Sequence, residues 1–408
     1  MMKKVFKILG VFICVVGLII FVKVSQNLIY SATSLTCLES KLEDSLHFGQ
    51  ALAITDKYIA VGDPEVNRVA IYGYNQSEKK WSRTREIYPP KNSIIDQVGS
   101  GFGKYLIFNH NQLIIGAFSD FVPSNFDEDT KNKYNYRGFV YSLQLEKDNQ
   151  NPLKEINIPD QINPTGYAVK VFDNKIALET TVGRDYRKKP DKVLIVDPTT
   201  LKVESIIKPP ILPTKRGNFG NSIAGNTRSL AISASDLPTK GGVYLVNEEG
   251  ELETISISKI LPTEKTEGFG SPVALGDDFL AIYSGGWDIS IFKRFSDKWR
   301  EIYSADLFGF RSLHADESQL LVSATGYPMD FDGWTKIPNH LLIDVQDDRA
   351  FIKSTIRWHW GIYFGRPKAE GAINSKYLLL SRNGKIVLLK KNYIPRNYVI
   401  NRLFCKEK

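Results

Sequence analysis

The residues able to do chemistry in this 408-residue chain are not grouped in any local pattern that chemistry requires. Its five histidines, His47, His110, His314, His340 and His359, include no two at metal-ligand spacing, and its three cysteines form no C-x-x-C. Gly220-Asn-Ser222-Ile-Ala224 comes near a nucleophile elbow, in which a strained turn exposes a serine, but lacks the closing glycine. Asp330-Phe-Asp-Gly333 resembles half of a calcium loop. Calcium takes six or more oxygens, so a surface turn is the expected reading. No glycine loop that could cradle a phosphate occurs. No metal, no cofactor and no catalytic residue is assigned.

Three stretches concentrate charge and aromatic character between apolar runs. One holds Phe118, Asp120, Asp127 and Asp129; the next holds Arg184, Tyr186 and Arg187; the last holds Asp330, Asp332 and Trp334. The first two have opposite charge. Long links in compact domains are often functional, so these residues are the ligand-contact candidates. The formal net charge of +8 is misleading, because Lys3, Lys4, Lys7 and Lys23 fall in a 34-residue start without an acid. The remaining 49 bases face 45 acids. No basic stripe is present, so nucleic acid is not an expected partner.

Ile8–Val22 carries no charge and is short for a span of about 20 residues. Val5 and Phe6 lengthen it, and Lys7 and Lys23 can snorkel to the headgroups. The expectation is an uncleaved signal anchor, one N-terminal transmembrane helix, over a signal peptide cleaved at Ala32-Thr33-Ser34. Cys14 follows a bulky Ile13, a poor lipid-attachment context. Either reading places the rest outside the cytoplasm, because the lysines hold the N-terminus inside. The chain divides into residues 1–34 and a domain over residues 35–408.

An internal repeat organises that domain. Phe48-Gly49 precedes Ala51–Ile54, Tyr58–Asp63 and Arg68–Tyr72; Phe102-Gly103 precedes Tyr105–Phe108, Leu113–Ala117 and Gly138–Tyr141. The pattern recurs at Gly166-Tyr167, Phe219-Gly220, Phe269-Gly270, Phe308-Gly309 and Phe364-Gly365. Each unit has three apolar runs split by turns such as Thr55-Asp-Lys57, then an alternating run such as Trp81–Tyr88. Strand-length runs broken by turn residues describe a meander. Seven units of four antiparallel strands predict an all-β, seven-bladed β-propeller.

These units resemble the FG-GAP repeats of integrin-α-type propellers. Gly101-Phe102-Gly103 and Ile115-Gly116-Ala117-Phe118 stand for the two elements in the second unit, and Gly62-Asp63-Pro64, Ser233-Ala234-Ser235 and Ser323-Ala324-Thr325 for degraded second elements elsewhere. The phenylalanine is expected to wedge between blades and the glycine to allow close backbone passage or φ > 0. The acidic calcium loop of such repeats is missing, so calcium is not carried over. The resemblance implies that the links between second and third strands share the ligand face. The expected function is binding of a protein or a glycan there; a hydrolase or lyase site in the central channel is the alternative. Membrane contact would run through the N-terminal helix. Cys37 and Cys405 fall at nearly the same place in the circular repeat, which predicts a Cys37–Cys405 disulfide locking the ring.

Overall fold

The computed structural model describes residues 35–38, 45, 47–98, 101–119, 137–145, 152–158, 163–181, 190–209, 219–234, 242–246, 252–256, 272–284, 288–296, 298–306, 310–324, 340–359, 369–382, 385–394 and 397–401. Its strands are β1 (Leu35–Cys37), then β2 (Ala51–Ile54), β3 (Tyr58–Asp63), β4 (Arg68–Asn75) and β5 (Lys80–Ile87) of blade 1. Blade 2 holds β6 (Phe102–Asn109), β7 (Gln112–Ser119), β8 (Arg137–Gln144) and β9 (Lys154–Glu155). Blade 3 holds β10 (Asn163–Phe172), β11 (Lys175–Thr181), β12 (Pro190–Val196) and β13 (Val203–Ile207). Blade 4 holds β14 (Phe219–Gly225), β15 (Leu230–Ala234), β16 (Gly242–Val246) and β17 (Leu252–Ser256). Blade 5 holds β18 (Val273–Leu275), β19 (Phe279–Ser284), β20 (Asp288–Phe295) and β21 (Lys298–Asp306). Blade 6 holds β22 (Phe310–Asp316), β23 (Gln319–Ala324), β24 (His340–Gln346) and β25 (Arg349–His359). Blade 7 holds β26 (Ala369–Ile373), β27 (Tyr377–Arg382) and β28 (Lys385–Lys390), and β29 (Asn397–Asn401) follows.

Seven sheets result, each built on four antiparallel strands, and they form the seven-bladed propeller. The middle strands are apolar on both faces because both faces are covered. Seven hydrophobic clusters follow, each shared by two adjacent blades. Blades 1 and 2 share Val69, Ile71, Phe102 and Ile115, and blades 2 and 3 share Ile114, Val140, Ile176 and Leu194. The series continues around the ring until Leu379 and Leu388 of blade 7 pack with Leu52 and Tyr72 of blade 1. Every seam is filled, so the ring is closed.

Closure uses the N-terminal end. Strand β1 pairs antiparallel with β28, Cys37 opposite Val387, and supplies the fourth strand of blade 7. The C-terminal end does something the repeat did not predict. Strand β29 leaves blade 7 and pairs parallel with β25, giving blade 6 a fifth strand. Of the expected Cys37–Cys405 pair, Cys37 lies on β1 in the fourth-strand place of blade 7, the strand before Cys405 lies on blade 6, and Cys405 itself is outside the described residues. Among the described residues no helix is long and apolar enough to cross a membrane, and the apolar run at Ile8–Val22 lies outside them.

Strand direction defines two ends. First hairpins and third-to-fourth turns sit at one, here the hairpin end; second-to-third links and blade-to-blade links sit at the other, the link end. Since β1 runs like any fourth strand, Leu35 enters blade 7 at the hairpin end. Blade-to-blade contacts join the turns of the hairpin end. Asn109 Nδ2 donates to Asn174 Oδ1 at 3.0 Å, and Asn226 Nδ2 to the Gly276 carbonyl at 2.6 Å. Asp277 N donates to the Glu317 carbonyl at 2.9 Å, and Lys391 Nζ reaches Asp316 at 3.1 Å and the Asn374 carbonyl at 2.9 Å.

Candidate functional site

The wedge residues sit at the link end as the repeat predicted. Phe48, Phe102 and Phe219 are buried in the seams between blades 7 and 1, 1 and 2, and 3 and 4, and Gly49, Gly103 and Gly220 beside them have φ of 87°, 80° and 91°. The second-element glycine meets them: a Cβ on Gly62 would lie 2.0 Å from the Gly103 carbonyl oxygen. Ser222, in the elbow-like run, belongs to this seam machinery. Its N–H donates to Ser233 Oγ at 2.9 Å, and its Oγ accepts from Val273 N at 3.0 Å.

Of the ligand-contact candidates, Phe118 is described. It is the penultimate residue of β7, is buried, and holds Lys104 Nζ 5.1 Å above its ring, at the base of the link that follows. Asp120, Asp127, Asp129, Arg184, Tyr186, Arg187, Asp330, Asp332 and Trp334 lie outside the described residues.

Blade 1 presents a polar shelf at the same end that sequence reading did not single out. Asp63, fully buried where β3 ends, accepts from Arg68 Nη2 at 3.0 Å and from Ser45 N at 3.2 Å, and Ser45 Oγ also donates to it. The paired charge and added donors offset the cost of burying the carboxylate. Arg68 and Arg83 both reach Glu86, at 3.9 and 3.2 Å, and Arg83 stacks 5.4 Å from the Phe48 ring centroid. Tyr88 donates to Glu86 at 2.7 Å, and that bond to a carboxylate pushes the phenol pKa up. Asn67, in left-handed backbone at φ 52°, donates to the Ile95 carbonyl at 2.8 Å and accepts from Phe102 N at 2.9 Å, tying the shelf to blade 2. On this base His47, Glu65, Val66 and Tyr88 face solvent, with His47 Nε2 3.6 Å from Glu65. A rigid base with exposed aromatic, apolar and charged tops is suited to recognition.

The channel carries a second polar feature. In each blade one inner-strand residue, two steps above the hairpin-end layer of Asn109, Asn226 and Asn374, faces the following blade at the axis. These are Ala53, Ile107, Lys170, Ala224, Ala274, His314 and Ala372, paired with Ala60, Ile114, Ala177, Ala231, Ala281, Leu321 and Leu379. Lys170 and His314 are both half-buried. Burial lowers the Lys170 pKa. Burial, then the nearby Lys170 and His340, lowers His314 to about 3. The only sequence signal for them is their place in a position otherwise occupied by alanine or isoleucine.

Solved structures of propeller proteins resemble this chain. A streptogramin B lyase structure matches at TM-score 0.50 and 11% identity, covering 87% of this chain and 97% of that one. A chain of the mitotic checkpoint complex matches at TM-score 0.50 and 10% identity, covering 87% and 90%. Apo AztD from Citrobacter koseri matches at TM-score 0.47 and 15% identity, covering 85% and 84%. Identities this low speak to the fold alone. No protein-family model and no curated protein matches the chain.

Proposed function

We propose that the chain is an extracytoplasmic binding propeller of the FG-GAP kind, held at a membrane by its apolar N-terminal segment, that takes a protein or glycan ligand on its link end. The observation that carries the reading is polarity. Leu35 enters blade 7 at the hairpin end, so an anchor preceding it attaches there and turns the link end away from the membrane. The links holding Asp120–Asp129, Arg184–Arg187 and Asp330–Trp334 join second strands to third strands and so start and finish at that outward end, the end that also carries the shelf topped by His47, Glu65 and Tyr88. The hairpin end is short-turned and knitted blade to blade, which leaves it little freedom to adapt to a ligand. A Cys37–Cys405 bridge fits the same picture. Strands β1 and β29 are the outermost strands of neighbouring blades, so a short excursion after Asn401 would bring the two cysteines together.

Site-specific photocrosslinking on intact cells tests the reading. A photoreactive residue in place of exposed Tyr88 should give adducts with an external protein or glycan, and one in place of exposed Lys79 at the hairpin end should not. Equal adducts from both positions, or adducts from Lys79 alone, would overturn it.

A further inference from the structure

We propose that the channel holds an anion site in which Lys170 and His314, from opposite blades, clasp the phosphate or carboxylate group of a small ligand. Four of the seven positions in the ring layer are alanine and one is isoleucine, so a lysine and a histidine there contribute nothing that blade packing requires. Both occur on inner strands, the strands that line the axis of the ring, three blades apart. Ser312 lies two residues before His314 on the same face of β22, and its buried Oγ has no hydrogen-bond partner among the described residues. A hydroxyl, an imidazole N–H and an ammonium are three donors placed in one layer of the inner strands.

Among the described residues, the carboxylates on the neighbouring strands are already engaged. Asp316, two residues beyond His314, is held by Lys391 at 3.1 Å. Glu179 on β11 and Glu370 on β26 have interactions of their own. His340 pairs with Ser323 Oγ at 3.0 Å. Burial disfavours the charged form of both groups, and the positive charge of Lys170 adds to the effect at His314. An oxyanion between them reverses that cost by supplying the missing opposite charge, and a low-dielectric wall strengthens the attraction. The channel therefore selects a small anionic group over a neutral or cationic one.

Thermal melts of the full chain in mild detergent decide the matter. Sodium phosphate and, separately, sodium succinate are compared with sodium chloride at equal ionic strength. The native protein should gain a few degrees of Tm with at least one of them, as a bound ligand stabilises by mass action. Phosphate alone assigns a phosphate-bearing ligand, and succinate alone a carboxylate. Phosphate also stabilises proteins by exclusion from their surface, so the readout is the difference from the double variant Lys170→Ala/His314→Ala. That variant installs the residue four other blades already use; it should fold and lose the specific part of the shift. Lys170→Met, which keeps the length of the side chain, should lose most of it as well, and phosphorus NMR line broadening by the native protein reports phosphate contact directly. Equal shifts in the native and substituted proteins, or no shift with either salt, would refute the site.

Discussion

Between blades 1 and 2, Gly62 lies so close to Gly103 that a Cβ on it would sit 2.0 Å from the Gly103 carbonyl oxygen. Between blades 7 and 1, the same position is Ser381, whose hydroxyl donates a 2.6 Å hydrogen bond to the Gly49 carbonyl. One seam admits no side chain; the other uses a side chain as a connector. Both leave the following glycine in left-handed backbone, at φ 80° for Gly103 and 87° for Gly49. The conserved demand of the fold is thus the path of the second blade's inner strand. Contact with the preceding blade can be backbone on backbone or through one small hydroxyl. Blade 4 uses Ser233 and blade 6 Ser323 at this position, which is why the glycine of the repeat reads as degraded there.

The comparison predicts the largest effect at the tighter seam. Gly62→Ala must push apart two backbones, because the atom it meets is a carbonyl oxygen and not the end of a flexible side chain. Overpacking of this kind should cost on the order of 3 kcal/mol. A urea titration with an unchanged slope and a lowered midpoint would measure it. Gly62→Ser sharpens the point: if serine is tolerated there as it is at Ser381, the two seams have the same spacing and the steric contrast is wrong.

How much of this was legible in the residues depends on the distance over which each feature is set. The seven units and their hairpins were readable because strand alternation and turn residues are local. Phe48, Phe102, Phe219 and Phe269 each fall five residues before the shared channel position at Ala53, Ala53's counterparts Ile107 and Ala224, and Ala274. Tyr167, Phe308 and Phe364 fall three, six and eight residues before theirs, at Lys170, His314 and Ala372. In blade 3 it is Gly166, not Tyr167, that keeps the register. Strand β29 was not legible, since its pairing with β25 joins residues more than 40 apart with no repeat to announce it. The shelf was missed for a related reason. Asp63, Arg68 and Glu86 look like ordinary surface charges until the fold brings Ser45 and Phe48 over them. Lys170 and His314 stand out only once the inner strands are aligned by hairpin register.

A medium effect is expected at the connector seam. Ser381→Ala removes the hydroxyl and leaves the Gly49 carbonyl buried without that donor. Net hydrogen-bond contributions and the cost of an unmet acceptor place the loss at about 1 kcal/mol, well below that of Gly62→Ala. The same denaturant titration gives it. A loss as large as the glycine variant's would mean that the hydrogen bond, and not the spacing, holds the ring at blade 7.

The smallest effect belongs to the ion pair that crosses the same seam at the hairpin end. Lys376 Nζ contacts an Asp56 carboxylate oxygen, joining the first turns of blades 7 and 1, and both side chains are about half exposed. The hydrogen bond to Asp56, followed by its charge, raises the Lys376 pKa. A raised lysine pKa means the pair's contribution is fully present below the unfolded pKa of 10.5 and is lost as pH climbs through the higher folded value. Solvent and salt screen a pair this open, and ordering two long side chains opposes it. Lys376→Ala should therefore leave the denaturation midpoint unchanged within error at neutral pH, in low and in physiological salt alike. A salt-sensitive drop in that variant, absent from Ser381→Ala, would show that closure of blade 7 onto blade 1 leans on surface charge, where the buried contacts of Leu379, Leu388, Leu52 and Tyr72 are expected to carry it.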